Sequence, residues 1–590
     1  MSDPRRQELV ALFEAHGAVA EPGLLAELAS QPDAAPRLQA VLAGLQEVPF
    51  YFDRELWQQL ESKAREAVAP EPPAASPPSA PTLEQELARK EAMRRAAQAI
   101  YDGKVRLEDG AGGEDRDGED DEADPDALDG VETETEVPEE DAWMPGGRFR
   151  VEPRGDWRPL AKDHASRLEV VQDMTGNSTC EGRTQDFVTY FQDRHKQISK
   201  MLRTRRELRN AVPIERLKPG QQEAQVIGMV VERRTAKSGN IVLDLEDETG
   251  TIKGLVKAED RQLFTMASSL LQDEVVGAVG QVNNKGEMMF LESLIRPDIP
   301  RPDGQEKRGA DVPLMAAFVS DVHVGSKTHL QENWRRMLRW LCGHGDSKRE
   351  RDAAGRVKYL VIPGDLVDGV GIYPGQQHEL SIVDIYDQYG AFAADLENVP
   401  EHIEIVVQPG NHDASRPAEP QPAFSKEVRA RFDSRSARFV ANPAWFRMHG
   451  ALTLGYHGFS LIDFASSIPG LDYEHPLPTM KQMLQCRHLA PLYGERTPVA
   501  PEHKDYLVVN EVPDIFVTGH VHVPGIEPYR GVLMVNSGTW QSQTAYQKML
   551  NFTPQPAKMP IIDLQTLRGT LVDFQTPATA GALAVQASHA

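Results

Sequence analysis

Six apolar runs of strand length, each closing on a short polar cluster, constrain the fold of this chain more than any other feature. They read "LMAAFVS", "KYLVIPG", "IEIVVQPG", "LTLGYHG", "DIFVTGH" and "GVLMVNSG". Short apolar runs bounded by Gly and polar residues read as buried strands, and the helical patterns between them make βα repeats. Five runs lead into Ser320-Asp321-Val322-His323, Gly364-Asp365-Leu366-Val367-Asp368, Gly410-Asn411-His412-Asp413, Gly455-Tyr456-His457-Gly458 and Gly519-His520-Val521-His522. Ligands of α/β sheets bind beyond the carboxyl ends of the strands. Five loaded ends are therefore expected to meet at one site.

The residue types at those ends are metal ligands. Imidazole, carboxylate and amide carbonyl together suit a borderline-to-hard divalent ion such as Mn, Fe or Zn. Residues separated by one at a strand end point to the same side, so Asp321 with His323, and His520 with His522, form pincers. Buried carboxylates need cations beside them. Each motif alone is weak: DxH is more often a surface pair, GNHD an Asx turn, and His457 a strand-end histidine. The ordered set DxH, GDxxD, GNHD, H and GHxH, each after an apolar run, points to a dinuclear site. Spacing by itself speaks only for phosphoester hydrolysis.

The chain is 590 residues long, too long for one core. Residues 1–66 have apolar residues at helical spacing and are expected to form a small helical domain. Residues 67–142 read as a Pro-rich linker, a helix from Thr82 to about Ile100, and an acidic run at 108–141. That run holds 18 Asp or Glu against one Arg, or −17 of the −25 total, which leaves the remainder only mildly acidic at −8. Its low apolar content predicts disorder, either as a solubilising tether or as a docking tail that mimics nucleic acid. Residues 143–221 are expected to be a helical connector, with a basic amphipathic helix in 185–211 whose charged face is solvated, contact with DNA phosphate being the alternative. Residues 222–300 switch to strand alternation: three strands, a helix and two strands, the order of an OB-fold. Its strands lack aromatics apart from Phe290, which favours a structural or protein-contact barrel over a base-stacking platform. Residues 313–575 carry the loaded strand ends, and 576–590 read as a flexible tail. No apolar run is long enough to span a bilayer, so no membrane partner is expected. Cys180, Cys342 and Cys486 form no CxxC, which fits a reducing, cytoplasmic setting.

The ordered ligand set resembles the calcineurin-like metallophosphoesterase superfamily. "DMTGNSTCEGRTQDFVTYFQDR" at 173–194, the barrel run, "GDLVDGVGIYPGQQHELSIVDIYDQY" at 364–389 and "PGNHDASRPAEPQP" at 409–422 narrow the resemblance. Over about 165–575 the chain resembles the small subunits of archaeal family D DNA polymerases. The resemblance implies an OB-fold β-barrel and a calcineurin-like phosphoesterase αββα sandwich; with the small N-terminal helical domain, which matches in character only, the chain reads as multidomain α+β. It implies one metal held by Asp321, His323, Asp365 and His522. A second would be held by Asp365, Asn411, His457 and His520, so that Asp365 bridges. The cofactors would be two divalent metal ions, Mn2+ first, with Fe or Zn as alternatives. His412 is expected to contact the scissile phosphate and protonate the leaving 3′ oxygen, and Asp413 to orient it. Arg416 is expected to touch phosphate or to form a structural salt bridge, and Asp368 to cap or hydrogen-bond outside the ligand set.

The activity so implied is a metal-dependent 3′→5′ exodeoxyribonuclease that proofreads for a replicative polymerase. The partners would be a large catalytic subunit, in a heterodimer with DNA-directed DNA polymerase activity, and DNA as a single strand or primer 3′ end. One rival is a non-catalytic structural subunit, as in the eukaryotic B-subunits that resemble this architecture but have lost metal ligands. This chain keeps every one of them. The other rival, a phosphoprotein phosphatase or small phosphodiesterase, has no need of the upstream barrel.

Overall fold

A computed structural model describes residues 149–300, 309–373, 375–549 and 551–575, with twelve residues between 9 and 57. The chain separates into two units, Met1–Pro81 and Thr82–Ala590. In the first, the described positions are helical, with Leu24, Leu28, Leu38 and Trp57 buried, apart from a parallel pairing of Val19–Ala20 with Tyr51–Phe52. The helical domain expected over 1–66 otherwise lies outside the described residues. So do the linker, helix and acidic run of 67–142 and the tail at 576–590.

In the second unit the connector supplies strand β1 (Leu168–Gln172) and helix α1 (Thr184–Leu202). Helices alone are expected here, so the strand is a correction. "LEVVQ" has the β-branched residues of a strand, but three of its five side chains are exposed, so no burial period marks it. The alternating region becomes β2 (Ala224–Thr235), β3 (Ile241–Asp247), β4 (Gly250–Val256), α2 (Arg261–Ser268), β5 (Val275–Val282) and β6 (Met288–Ile295). These strands close into a barrel in the order β2-β3-β4-β6-β5, with β5 paired back to β2. Val226, Leu243, Leu245, Ile252, Val276 and Met289 fill its interior.

The remaining elements begin with β7 (Met315–Phe318), α3 (Gln331–Leu341), β8 (Val357–Pro363), α4 (Ile385–Leu396), β9 (Glu404–Gln408) and β10 (Arg438–Phe439). Then come β11 (Ala444–Met448), β12 (Ala451–Gly455), α5 (Leu461–Ser467), α6 (Pro476–Cys486) and β13 (Ile515–Thr518). The chain finishes with β14 (Gly525–Tyr529), β15 (Val532–Asn536), β16 (Lys558–Asp563) and β17 (Arg568–Asp573). One sheet runs β10-β9-β8-β7-β16-β17 and the other β14-β15-β13-β12-β11-β1. β7 to β10 are mutually parallel, as are β12, β13 and β15.

Alternation along the strands decides the layering. Ala316, Phe318, Tyr359 and Val361 face Phe446, Ile515, Val517 and Val535 between the sheets. The intervening Ala317, Leu360 and Ile362 pack on Trp334 and Leu338 of α3 and Phe392 of α4. On the far side, Leu454, Phe516 and Met534 pack on Phe464 of α5 and Met480 and Met483 of α6. Strands buried on both faces therefore give helix, sheet, sheet, helix.

One guanidinium ties connector, barrel and sandwich together. Arg194 of α1 is fully buried. Its Nε donates to Asp505 Oδ2 at 2.8 Å, and its terminal nitrogens donate to the carbonyls of Pro491 (2.7 Å) and Asp273 (3.2 Å) and to the Tyr190 hydroxyl (2.9 Å). The charged face of this helix thus loses one cation to the interior, which its pattern did not announce. His488 Nε2 donates to the same Asp505 oxygen at 2.8 Å, while its Nδ1 accepts from the Ala490 backbone. Burial alone would raise the Asp505 carboxyl, yet His488 and Arg194 hold it well below its usual range. Burial pushes His488 down to about 4.

Removing one partner of a buried ion pair strands the other. Arg194→Met is expected to destabilise the second unit by about 3–5 kcal/mol in denaturant unfolding; a change under about 1 kcal/mol would contradict the tie. The acid response has a definite sign. His488 titrates lower when folded than its ordinary 6.5, so its contribution is complete above pH 6.5 and drains away as pH falls toward 4. Asp505, also depressed, acts in the same direction at lower pH. His488→Gln should flatten the loss of stability between pH 6.5 and 4, measured by unfolding at each pH.

Candidate metal centre

Parallel strands from both sheets deliver their carboxyl ends to one place. β7 leads to Asp321, β8 to Asp365 and β9 to Asn411; β12 leads to His457, and β13 to His520 and His522. The carboxylates and the amide thus come from one sheet and three imidazoles from the other. Asp321, His323, Asp365, His457 and His522 are buried, and Asn411 and His520 are partly buried.

The backbone is bent hard to achieve this. Asp321, His323, Asp365 and His520 have φ of 51°, 51°, 53° and 63°. A non-glycine residue held there costs about 1–3 kcal/mol and persists only where its surroundings over-determine it. Two glycines permit the close approach. A Cβ on Gly410 would lie 2.2 Å from Asp365 Oδ1, and one on Gly364 would lie 2.4 Å from His457 Nδ1.

Two ligand groups form around a shared carboxylate. Atoms of Asp321, His323 and His522 lie within 4.8 Å of one another, as do atoms of Asp365, His457 and His520. Asp365 Oδ2 stands 4.0 Å from His323 Nε2 in the first group and 3.4 Å from His457 Nε2 in the second. Asn411 Oδ1 is 2.9 Å from His457 Nε2, which places it in the second group. All seven predicted ligands are thus brought together, and one oxygen of Asp365 lies between the groups.

Electrostatics fit a cation-binding cluster. Burial opposes charge on Asp365, but His457 and His412 beside it hold its carboxyl well below the usual range. Burial likewise opposes charge on His457, yet the Asp365 and Asp321 carboxylates push it up to about 10. That ring donates to the Pro363 carbonyl through Nδ1 and faces Asn411 and Asp365 through Nε2, the nitrogen from which an incoming ion would displace the proton. His520, buried beside His457, is pushed down to about 3 and offers a neutral lone pair. Both ring nitrogens of His323 are buried without a hydrogen bond. Asp368 Oδ1 does lie 3.2 Å from its Nδ1, near enough for attraction but outside hydrogen-bonding geometry. A buried imidazole that makes no hydrogen bond and faces three carboxylates suits a divalent ion.

The other predicted residues separate. His412 donates its backbone N–H to Asp365 Oδ1 at 2.9 Å, and its Nδ1 pairs with the Asp368 carbonyl at 2.8 Å, which leaves Nε2 for a ligand. Its ring lies edge-on to His323 at 4.7 Å. Asp413 is not brought to the His412 ring. Its carboxylate accepts from the Gly410 and Leu366 amides and from the Tyr389 hydroxyl, bracing two strand ends; burial and the Asp365 charge push it up to about 7. Arg416 is turned away from the cluster, toward the carbonyls of Ala418 and Pro420 and to Glu502 at 2.8 Å. Its structural role is the one of the two expectations that this geometry matches. Asp368 stands closer to the chemistry than the sequence suggested: its backbone fixes His412, its side chain faces His323, and Gln376 and Gln541 hold its two oxygens. Its spacing of three from Asp365 was the available signal.

Asp365→Ala should leave the purified protein without either ion after dialysis, as read by metal analysis. Asp368→Asn should weaken only the first group, by about 10–100-fold, as losing a partner that orients a ligating histidine does. Equal weakening of both groups would contradict that division.

Residues 316–524 match the family model of the DNA polymerase alpha/epsilon B subunits. The DNA polymerase II small subunit of Methanocaldococcus jannaschii is 41% identical over 409 residues, covering 69% of this chain and 68% of that protein. The DNA polymerase II small subunit of Archaeoglobus fulgidus is 42% identical over 412 residues, covering 69% and 82%. Among solved structures, the phosphoesterase Yfce from E. coli aligns over 44% of this chain and 94% of its own at 15% identity, with a TM-score of only 0.24.

Proposed function

The chain belongs to the family of archaeal DNA polymerase II small subunits, the small subunits of family D polymerases, and from that premise we propose that it is a proofreading 3′→5′ exodeoxyribonuclease. A small subunit implies a large catalytic one, which this chain would also scaffold. The observation that carries the reading is the Asp365 carboxylate standing between two complete ligand groups, one of three residues and one of three besides itself. A subunit kept only as a scaffold has no need to bury that cluster on strained backbone.

Two divalent ions in these groups would polarise the phosphoryl oxygens and supply the attacking nucleophile near neutral pH. The protein's own residues do the rest. Asp365 and the imidazoles of both sheets hold the phosphate-facing edge of the site in place. The Asp368 carbonyl fixes the His412 ring through Nδ1, so that Nε2–H is aimed at the substrate. His412 gives that proton to the 3′ oxygen as the phosphorus–oxygen bond breaks. Water adds to phosphorus, a nucleoside 5′-monophosphate departs, and the shortened strand keeps a 3′ hydroxyl. Asp413 holds the loop that carries Asn411 and His412 against β8.

His412→Ala should slow the release of nucleotides from a 5′-labelled single strand by about 10²–10⁴-fold while bound Mn2+ stays constant. Loss of metal from that variant would assign His412 to coordination instead. Inertness of the wild type with Mn2+, both alone and with the large subunit, would leave the scaffold role only.

A further inference from the structure

The segment "RPAEPQP" directly after the GNHD loop has no part in the chemistry above. We propose that Gln421 within it, together with Asn442, is a positioning pair that sets the second ligand group. This inference rests on the two-metal reading of the site.

The pair closes a path between two candidate ligands that arrive on different sheets. The backbone N–H of His457 donates to Asn442 Oδ1 at 2.8 Å. Asn442 Nδ2 donates to Gln421 Oε1 at 2.7 Å. Gln421 Nε2 donates to the Gly410 carbonyl at 3.0 Å, and Gly410 immediately precedes Asn411. The backbones of Gln421 and Asn442 also exchange hydrogen bonds at 2.7 and 2.9 Å. Asn442 and His457 are fully buried, and Gln421 is 2% exposed.

The direction of this relay is forced. The His457 amide can only donate, so it fixes Asn442 Oδ1. Asn442 Nδ2 must then point at Gln421, and Gln421 Nε2 is left for the carbonyls of Gly410 and Arg416. Neither amide can flip without setting two like groups face to face. Glu419 anchors the same end: it accepts from the hydroxyl of Tyr456, the residue before His457, at 2.7 Å. What the relay fixes is the separation of β9 from β12 where they present Asn411 and His457, whose ligating atoms stand 2.9 Å apart. Holding the sheets together does not depend on it. Gln408 Nε2 already crosses between them, from β9 to the Gly455 carbonyl of β12 at 3.1 Å.

The test uses the full chain, Mn2+ titration calorimetry, and thermal unfolding in chelator. In Asn442→Asp the relay loses its central donor; in Gln421→Met it loses its link to Gly410 without gaining a charge. Each variant should keep one Mn2+ at wild-type affinity and bind the other at least about 10-fold more weakly, the size of effect expected when a partner that orients ligands is lost. Metal-free unfolding should show a cooperatively folded but less stable Met variant, because Asn442 Nδ2 and the Gly410 carbonyl lose a partner; that folded variant decides the matter if the Asp variant does not fold. Equal weakening of both ions, or two unaltered ions in a folded Met variant, would overturn the positioning role while leaving the nuclease reading intact. A wild-type protein that binds no pair of ions would remove the two-metal reading and this inference with it.

Discussion

The Asp365 carboxylate is the constraint around which the sandwich is arranged. It is almost wholly buried, one oxygen lies between two sets of imidazoles, and the other takes the His412 amide. A carboxylate in that position is costly without cationic partners, and Asp321 adds a second beside it. The local chain accepts left-handed backbone at four of the seven ligand positions. It also accepts glycines that let a neighbouring loop come within van der Waals reach. Neither feature serves packing. Both make sense if the buried negative charge is there to meet divalent ions.

The rest of the second unit keeps those strand ends in register. Parallel strands buried on both faces leave little freedom to slide, because a shift of one residue would turn inner side chains outward. Polar braces then fix what packing leaves loose. Asp413 and Tyr389 clamp the GNHD loop to β8, and Gln376 and Gln541 hold Asp368. Further out, Arg194 joins α1, the barrel and the sandwich through one buried fork. The barrel and the site are thereby tied to one another within the second unit.

Much of this was legible in the sequence, for a physical reason. A buried parallel strand needs a continuous apolar run, and its carboxyl end needs polar residues, so strand and site residue were written side by side. All six apolar runs form strands, and the barrel has the strand and helix order that its alternation announced. What stayed hidden depended on distant partners. β1 is an edge strand with mostly exposed side chains, so it lacks a burial period. Arg194 looked like one charge among many on a basic helix until Asp505, 311 residues away, met it. Arg416 near GNHD left phosphate contact and a structural salt bridge both open, and only the distant Glu502, with the carbonyls of its own loop, decides for the second. Asp368 read as a cap or a local hydrogen-bonding group, and its spacing of three from Asp365 was the one sign that His323 would turn toward it.

The most direct measurement is anomalous diffraction from crystals of the full chain grown with Mn2+. Two manganese peaks about 3.5–4 Å apart, with the Asp365 carboxylate between them, are the predicted result. No peak at the strand ends, or a single ion held away from Asp365, would contradict it.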